Sequence, residues 1–151
     1  MIDGFRSAGG ADKPIYGQVT CCWAASAELG KRTLHEMWPN AGVPGELSQE
    51  LPLPQHFEQA SSIVTPEMLA EKTPIGPDVK PYVAAVRELI EAGVENVYIH
   101  QVGPDQKGFF QFFREELQPA LEKVARTGAR KRDAVKGTKQ RSKSGKSKKT
   151  T

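Results

Sequence analysis

The stretch that decides the fold runs from Val79 to Phe113 and reads VKPYVAAVRELIEAGVENVYIHQVGPDQKGFFQFF. Its first apolar residues recur at helical spacing, which predicts an amphipathic helix that ends at Ala92 and Gly93. The next segment, Val94–Val102, is short, apolar and rich in β-branched and aromatic residues, as is typical of a buried strand. A turn at residues 103–106 then leads into another helix. Helix, buried strand and helix in this order predict a parallel α/β fold.

A second strand–helix unit precedes this stretch. Pro14–Ala24 (PIYGQVTCCWA) has the apolar and β-branched composition of a strand buried on both faces. The pattern then predicts a helix from Ala27 to about Trp38, because Pro39 ends it. Before both, Met1 to Gly10 has the pattern of the end of a helix that runs into a loop.

Residues 42–77 contain six prolines and predict an irregular inserted segment. Two short helices are expected in it, one near Pro54 and one that starts at Pro66 with Thr65 as its N-cap. Asp78 is the predicted N-cap of the helix after it. The last helix is predicted over Gly108–Val124, kinked at Pro119. The helix near Pro54 is expected to contain Phe57 and Ile63. The side chains expected to face inward from the other two helices are Met68, Leu69, Phe109, Phe110, Phe112, Phe113, Leu117 and Leu121.

Charge is divided unevenly along the 151 residues, although the formal net charge is only +3. The last 26 residues, from Arg126 onward, hold 11 of the 21 basic and one of the 18 acidic side chains, a charge of +10. The preceding 125 residues hold the other 10 basic and 17 acidic side chains, a charge of −7. We therefore predict an acidic folded domain over residues 1–124 and a disordered Lys/Arg-rich tail over residues 125–151.

The two cysteines, Cys21 and Cys22, are neighbours and point to opposite faces of a predicted strand. A disulfide between them is not expected, and two reduced thiols indicate a cytoplasmic protein. Neither a signal peptide nor a membrane-length apolar run is recognisable, so no membrane association is expected. No CxxC, HExxH or carboxylate cluster indicates a metal site, and no local signature supports a cysteine nucleophile.

The segments YGQVTCCWA, PNAGVPGELSQELPLPQHFEQA and AGVENVYIHQVGPDQKGFFQFF together resemble the luciferase-like (LLM class) oxidoreductases. The resemblance is to the branch that uses the deazaflavin coenzyme F420 and includes the F420-dependent glucose-6-phosphate dehydrogenases, and it covers Met1 to Val124. The family fold is a (β/α)₈ TIM barrel, which needs about 250 residues. The resemblance implies that the two strands are the seventh and eighth and that residues 42–77 are the insertion after strand seven. The chain is thus expected to be a truncated, C-terminal portion of the barrel.

The resemblance also implies a family reaction, which is hydride transfer between F420 and a small organic substrate. The family's catalytic histidine, tryptophan and glutamate, and its glycine-rich phosphate loop, belong to the six strands without counterpart here. We therefore expect no catalytic residue in this chain, no activity from it alone and no F420 binding by it alone. Lys72 corresponds to a basic residue that helps bind the substrate phosphate. Ser48 replaces its partner lysine, which weakens the expectation of glucose 6-phosphate as substrate.

Trp23, His100 and Gln101 lie at the carboxyl ends of the predicted strands, where active sites of such barrels gather, and are candidates for the cleft. The alternatives are a packing histidine bonded to a neighbouring loop and a core or rim tryptophan. An alternative function also stays open: an inactive barrel remnant whose tail binds nucleic acid or another polyanion weakly and without sequence preference. Two strands alone leave bare edges, so self-association or a partner supplying the missing barrel half is expected.

Overall fold

The computed structural model describes residues 1–125, which form a two-stranded parallel sheet with helices packed on it. Residues from 126 onward lie outside the described part of the chain, and so does the predicted disordered tail apart from residue 125, which is helical. The two strands are β1 (Tyr16–Cys21) and β2 (Asn96–Gln101). The helices in chain order are α1 (Ile2–Phe5), α2 (Ala27–Met37), α3 (Leu47–Glu50), α4 (Pro54–Ser61), α5 (Pro66–Ala70), α6 (Val79–Glu91) and α7 (Gln106–Phe112).

The sheet confirms the predicted α/β fold with parallel strands, in a register that places Tyr16 opposite Asn96 and Cys21 opposite Gln101. Each strand is shorter than the apolar segment that predicted it, Pro14–Ala24 for β1 and Val94–Val102 for β2. The residues that flank each strand belong to the adjoining loops. At its carboxyl end β1 has a second neighbour on its other edge. Cys22 accepts a hydrogen bond from Gly76 N–H at 3.0 Å, and its own N–H donates to Pro74 C=O at 2.9 Å.

One side of the sheet, here called the helical face, is covered by α6 and α7. Cys21 of β1 and Ile99 of β2 point to this side. They pack in one cluster with Tyr82, Phe109, Phe112 and Leu117. The opposite side, here called the open face, carries Tyr16 and Tyr98, which are 56% and 62% exposed and stack on each other with ring centroids 5.8 Å apart. The prediction that both strands are buried on both faces is therefore wrong.

A second core, here called the insertion core, covers the open face only at the carboxyl ends of the strands. Cys22 and Val102, the residues just after the two strands, lie in it. Its other members come from α2, α5 and the loops of the insertion: Leu34, Val43, Val64 and Leu69. Gly30 of α2 lets this layer approach, because a Cβ there would lie 2.5 Å from Ile75 and 3.0 Å from the Cys22 carbonyl oxygen. The insertion thus covers the open face at the carboxyl ends of the strands.

Local capping signals are confirmed by the structure. Thr65 caps α5 by accepting from Met68 N–H at 3.3 Å, and Asp78 caps α6 by accepting from Lys80 N–H at 3.0 Å. Gly93 adopts a φ of +99° directly after α6, as expected for a helix C-terminus. Asp105 caps α7 through Gly108 N–H at 2.8 Å, so that helix begins at Gln106, slightly earlier than predicted.

Two side chains expected to face inward, Met68 and Phe110, are exposed, and so is Ile63, which was predicted to lie in the helix near Pro54. Ile63 lies beyond the end of α4 and is 68% exposed, Met68 is 38% exposed and Phe110 is 64% exposed. Leu69 and the pair Phe109 and Phe112 are buried, as predicted. Apolar spacing identifies a helix but does not say how wide its buried stripe is, and in α7 the stripe is narrower than the run of phenylalanines.

Two wide turns lie near the two ends of the part of the chain that the structure describes. After α7 the residues Phe113–Leu117 form a π-turn, in which Gln118 N–H bonds to Phe113 C=O. Pro119, which has no N–H to donate, follows directly, and the helix continues to residue 125. At the start, Arg6–Gly10 follows α1, and the backbone leaves helical geometry at Ala8 (φ −87°, ψ 20°) and Gly9 (φ 104°, ψ 5°), where the end of a helix was predicted. Arg6 holds it by donating to backbone carbonyls of residues 10, 11 and 13 and by pairing with Glu95.

Candidate functional site

The candidate residues gather at the carboxyl end of the sheet because the two strands are parallel and end in register. Cys21 and Gln101 are the last ladder pair, so Trp23, His100 and Gln101 all lie within two residues of the strand ends. Side chains alternate between faces along a strand, and this alternation decides which of them can meet. Trp23 lies on the helical face and His100 on the open face. The structure therefore does not bring Trp23 and His100 into one cleft.

Gln101 joins the two strand ends through its side-chain amide. Its Oε1 accepts from the backbone N–H of Trp23 at 2.8 Å, and its Nε2 donates to the Trp23 carbonyl at 3.1 Å. The thiol of Cys21 is 3.7 Å from the same Oε1. The side-chain amide thus bonds to both backbone groups of Trp23, as a neighbouring strand would. These two bonds extend the pairing of the strands beyond Cys21 and Gln101. Both the oxygen and the nitrogen of the Gln101 side chain are therefore used to position Trp23.

A second glutamine holds the turn that follows β2. Gln106 Nε2 donates to the Gly103 carbonyl at 2.7 Å and lies 3.4 Å from the Gln101 carbonyl. Gly103 is tightly enclosed, since a Cβ there would be 2.8 Å from Gln101 Nε2 and 3.1 Å from the Trp23 carbonyl oxygen. The turn between β2 and α7 is therefore fixed against the end of β1.

Trp23 is a half-buried aromatic residue on the helical face. Its ring stacks on Phe112 with centroids 6.1 Å apart and lies over Gly108, where a Cβ would be only 2.3 Å from the indole. The indole Nε1 is buried and has no hydrogen-bond partner among the described residues. A buried donor without a partner costs about 1–3 kcal/mol, so this nitrogen is a candidate contact for a bound polar group.

His100 lies on the open face, at the boundary between the exposed tyrosines and the insertion core. Its ring meets the edge of Trp38 with centroids 5.2 Å apart and an interplanar angle of 76°. The imidazole Nδ1 is buried without a hydrogen-bond partner among residues 1–125, and Trp38 is 39% exposed. Thr20 lies opposite His100 in the register. These three residues, His100, Trp38 and Thr20, are here called the His100 recess.

Trp38 was not singled out from the sequence as a site residue. It follows α2, and the backbone of this C-cap (φ −143°, ψ 46°) turns the chain back toward the sheet. Pro39, which ends the helix, was the available signal that the chain changes direction there. Nothing in the sequence pattern alone links residue 38 to residue 100.

Lys72 lies apart from the His100 recess, in a surface groove of about 430 Å³ between the end of α5 and α6. Glu71 and Glu88 line the same groove, together with Ala84 and Ala85 from the side of α6 turned away from the helical-face cluster. Two carboxylates beside one ammonium group make this groove a poor place for a phosphate dianion. Ser48, at the position of the second expected cation, is exposed on α3.

Both thiols are buried. Burial, and then the neighbouring Cys22, raise the pKa of Cys21 to about 12, and burial also raises the pKa of Cys22. A thiol needs a lowered pKa to act as a nucleophile at neutral pH. Burial likewise raises the pKa of Tyr82, whose hydroxyl donates to the Gly76 carbonyl at 2.7 Å. Cys22 packs in the insertion core, and Cys21 and Tyr82 pack in the cluster on the helical face.

Over residues 1–125 no group of three or more His, Cys, Asp and Glu side chains is arranged to hold a metal ion. In the same part of the chain, no helix has the length and apolar character needed to cross a bilayer.

Comparison with known proteins identifies homologues among F420-dependent enzymes, although no protein-family model matches the chain. The F420-dependent glucose-6-phosphate dehydrogenase 1 of Rhodococcus jostii is 27% identical over 88 residues, which are 58% of this chain and 26% of that protein. The F420-dependent glucose-6-phosphate dehydrogenase of Mycolicibacterium smegmatis is 25% identical over 120 residues, 80% of this chain and 35% of that protein. The Mycobacterium tuberculosis enzyme of the same name is 24% identical over 119 residues, covering 79% and 34%.

A solved structure of an F420-dependent secondary alcohol dehydrogenase, in complex with an F420–acetone adduct, shares the fold. Its TM-score is 0.62 at 17% identity, and the match covers 80% of this chain and 36% of that one. The resemblance to the F420-dependent luciferase-like oxidoreductases is thus confirmed. The chain spans about a quarter to a third of the length of the curated relatives it matches.

Proposed function

We propose that the chain forms strands seven and eight, with their insertion, of a luciferase-like (β/α)₈ barrel that acts as an F420-dependent oxidoreductase. The uncovered open face supports this proposal, since in a closed barrel that face is the interior and the helical face is the outside. The insertion core would then lie over the carboxyl ends of the strands, where barrel active sites are built. In this proposal the other strand–helix units of the barrel pair with β1 and β2. They belong either to a separate chain or to another part of a longer polypeptide.

The observation that carries the proposal is the position of His100 beside Trp38. A polar nitrogen without a partner among the described residues, at the carboxyl end of a strand and on the face that would line the barrel, is suited to contact a bound substrate. Trp38 provides an apolar wall next to it. We assign His100, Trp38 and Thr20 to the substrate side of the site, with Trp23 held behind the sheet by Gln101.

The cofactor fits the described residues only in part. The His100 Nδ1, which has no hydrogen-bond partner among residues 1–125, is suited to face a bound polar group, whereas Trp23 lies behind the sheet. Lys72, the expected phosphate ligand, shares its groove with two carboxylates and lies away from the recess. We therefore attribute the binding of F420 and its phosphate to the part of the barrel outside this chain. The cofactor supplies the hydride chemistry when bound.

The recess favours a small uncharged substrate. Its side chains are an imidazole, an indole and a hydroxyl, with no ammonium or guanidinium group to balance a phosphate. A glucose 6-phosphate dianion would need such a cation. The substrate class we propose is a small neutral organic molecule carrying a hydroxyl or carbonyl group. The two free thiols fit a reducing compartment, and we place the assembled enzyme in the cytoplasm.

Complementation tests this proposal. The chain is co-produced with the part of the Mycolicibacterium smegmatis relative that lies outside the 120 matched residues. F420 binding is then measured by equilibrium dialysis for each piece alone and for the mixture. Binding by the mixture, and none by the 151-residue chain alone, is the expected result. A mixture that binds no more F420 than its separate pieces would contradict the proposal.

A further inference from the structure

Trp38, the apolar wall of the His100 recess, belongs to a segment that is attached to the insertion on both of its sides. It lies at the junction between α2 and a single 3₁₀ turn, Pro39–Gly42. Its N–H donates to the Leu34 carbonyl at 2.8 Å. The indole is 39% exposed, so the position of the ring depends largely on where this backbone is held. Residues 34–43 are here called the Trp38 segment.

On the side before Trp38, the attachment is a hydrogen bond from His35 to the loop between α4 and α5. His35 Nε2 lies 2.8 Å from the Val64 carbonyl oxygen. A carbonyl oxygen only accepts, so Nε2 carries the hydrogen in this contact. The neighbouring Leu34 is fully buried in the insertion core, in which Val64 also packs. The last turn of α2 is therefore held on the insertion by a hydrogen bond and by a buried side chain.

On the side after Trp38, the attachment is a close approach between backbone and side chain. A Cβ on Gly42 would lie 2.3 Å from Val64 Cγ1 and 3.2 Å from Leu69 Cδ2. The φ of Gly42 is not positive, so the missing side chain serves this approach and not an unusual backbone conformation. Val43, the next residue, is buried in the same core. Val64 thus meets the chain shortly before and shortly after Trp38.

We propose that the insertion sets the width of the His100 recess, with His35 as a positioning residue that holds the Trp38 segment on Val64. In this arrangement the edge of the indole meets the His100 ring with centroids 5.2 Å apart. Without the bond from His35, the last turn of α2 is free to move and the indole can leave the imidazole. The recess then widens, so residues outside the recess select the substrate by its size.

The consequence for the substrate rests on the proposed function, whereas the position of Trp38 does not. We attribute F420 binding to the part of the barrel outside this chain, so a change at His35 should leave that binding intact. Spectroscopy of Trp38 tests the attachment in the chain itself. F420 binding by the complemented mixture tests the proposed function, so the two can fail separately.

The first experiment observes Trp38 in the full chain with Trp23→Phe, which makes Trp38 the only tryptophan. Trp23→Phe keeps the backbone groups that bond to Gln101. His35→Leu removes the donor, and we expect a loss of the near-ultraviolet circular dichroism of Trp38 and a shift of its fluorescence to longer wavelength. His35→Gln supplies an amide N–H in place of Nε2 and should retain both signals. His56→Leu, the same change at the half-buried histidine of α4, leaves the bond in place and is the matched control.

A second pair of variants tests the other side of Trp38 and does not depend on a hydrogen bond. Gly42→Ala places a methyl group 2.3 Å from Val64 Cγ1, so it should displace the Trp38 segment and weaken the same signals. Val64→Ala removes this methyl group of valine. The double variant Gly42→Ala/Val64→Ala should therefore recover the signals that Gly42→Ala loses. Far-ultraviolet circular dichroism confirms that each variant keeps its helices.

A folded His35→Leu variant with the Trp38 signals of the parent chain overturns the inference. If that variant does not fold, the second pair decides, and a double variant no closer to the parent than Gly42→Ala alone overturns it. In the complemented mixture, His35→Leu should leave F420 binding unchanged. A loss of F420 binding there, with binding by the native mixture, contradicts the role of His35 on the substrate side. A native mixture that binds no F420 contradicts the proposed function and leaves the result for Trp38 standing.

Discussion

The side-chain amide of Gln101 is hydrogen bonded to both backbone groups of Trp23, at 2.8 Å from its N–H and 3.1 Å to its carbonyl. This pair continues the sheet ladder beyond its last rung by means of a side chain. It also decides where the indole of Trp23 lies relative to α7. A change at either residue should therefore affect both the strand ends and the packing of the last helix.

Replacing Gln101 with Met should lower the free energy of unfolding by about 1–3 kcal/mol, because it leaves the Trp23 N–H and carbonyl without their partners. Urea unfolding followed by tryptophan fluorescence measures this change. Gln111→Met is the matched control, since Gln111 is exposed and its amide meets Glu115 one helical turn away, at 3.3 Å. Equal effects of the two substitutions would show that the amide of Gln101 does not hold the strand ends together.

Replacing Gly108 with Ala should displace Trp23. The added methyl group would lie 2.3 Å from the indole and 2.5 Å from an Asp105 carboxylate oxygen, and that carboxylate also caps α7. We expect a changed near-ultraviolet circular dichroism signal and a loss of about 1–3 kcal/mol. Gly4→Ala serves as the control, because no atom lies within 4 Å of a Cβ there. An unchanged tryptophan signal in the Gly108 variant would contradict the described packing.

Alkaline pH should destabilise the chain through its buried thiols. In the folded state the pKa of Cys21 is about 12, against 9.0 for a free thiol. Only the unfolded state ionises between these values, so stability is full below about pH 9 and falls as the pH rises toward 12. The raised pKa values of Cys22 and Tyr82 act in the same direction. Unfolding midpoints at about pH 7, 9 and 10.5 measure this, and Cys21→Ala should flatten the fall.

Replacing Tyr82 with Phe should cost about 1–2 kcal/mol, because the Gly76 carbonyl loses its hydroxyl donor in a buried site. Gly76 itself cannot relax easily, since it has a φ of +78° and a Cβ there would lie 2.8 Å from the backbone of Ala27. Tyr16→Phe removes an exposed hydroxyl and is the control. Comparable stabilities of the Tyr82 and Tyr16 variants in urea would argue against a structural role for this bond.

Most features that depend on residues close together in the sequence, such as helix caps and strands, could be predicted. Asp78 and Thr65 cap their helices as expected because an N-cap is a contact over two or three positions. The two strands were recognised by composition, and their parallel order placed His100 and Trp23 at the same edge. The exposure of Phe110 and Tyr98 could not be predicted, since it depends on which elements stand beside the sheet.

The parts of the candidate site that escaped prediction are contacts between distant residues. The bond between Gln101 and Trp23 spans 78 positions, and the meeting of His100 with Trp38 depends on how α2 crosses the strand ends. Neither leaves a periodic or compositional signal. Gln101 was expected in the cleft from its place at a strand end, and its amide is instead directed to the backbone of β1's continuation.

In our proposal the carboxyl ends of β1 and β2 form the substrate side of an F420-dependent oxidoreductase. The most direct test replaces the 120 matched residues of the Mycolicibacterium smegmatis relative with this chain and compares two substitutions, His100→Ala and Tyr16→Leu. Tyr16 lies on the same open face at the other end of the strands. We predict that His100→Ala raises the KM for the organic substrate about tenfold or more and leaves the Kd for F420 unchanged, while Tyr16→Leu alters neither. Equal KM values for the unsubstituted and His100→Ala chimeras would contradict the proposal.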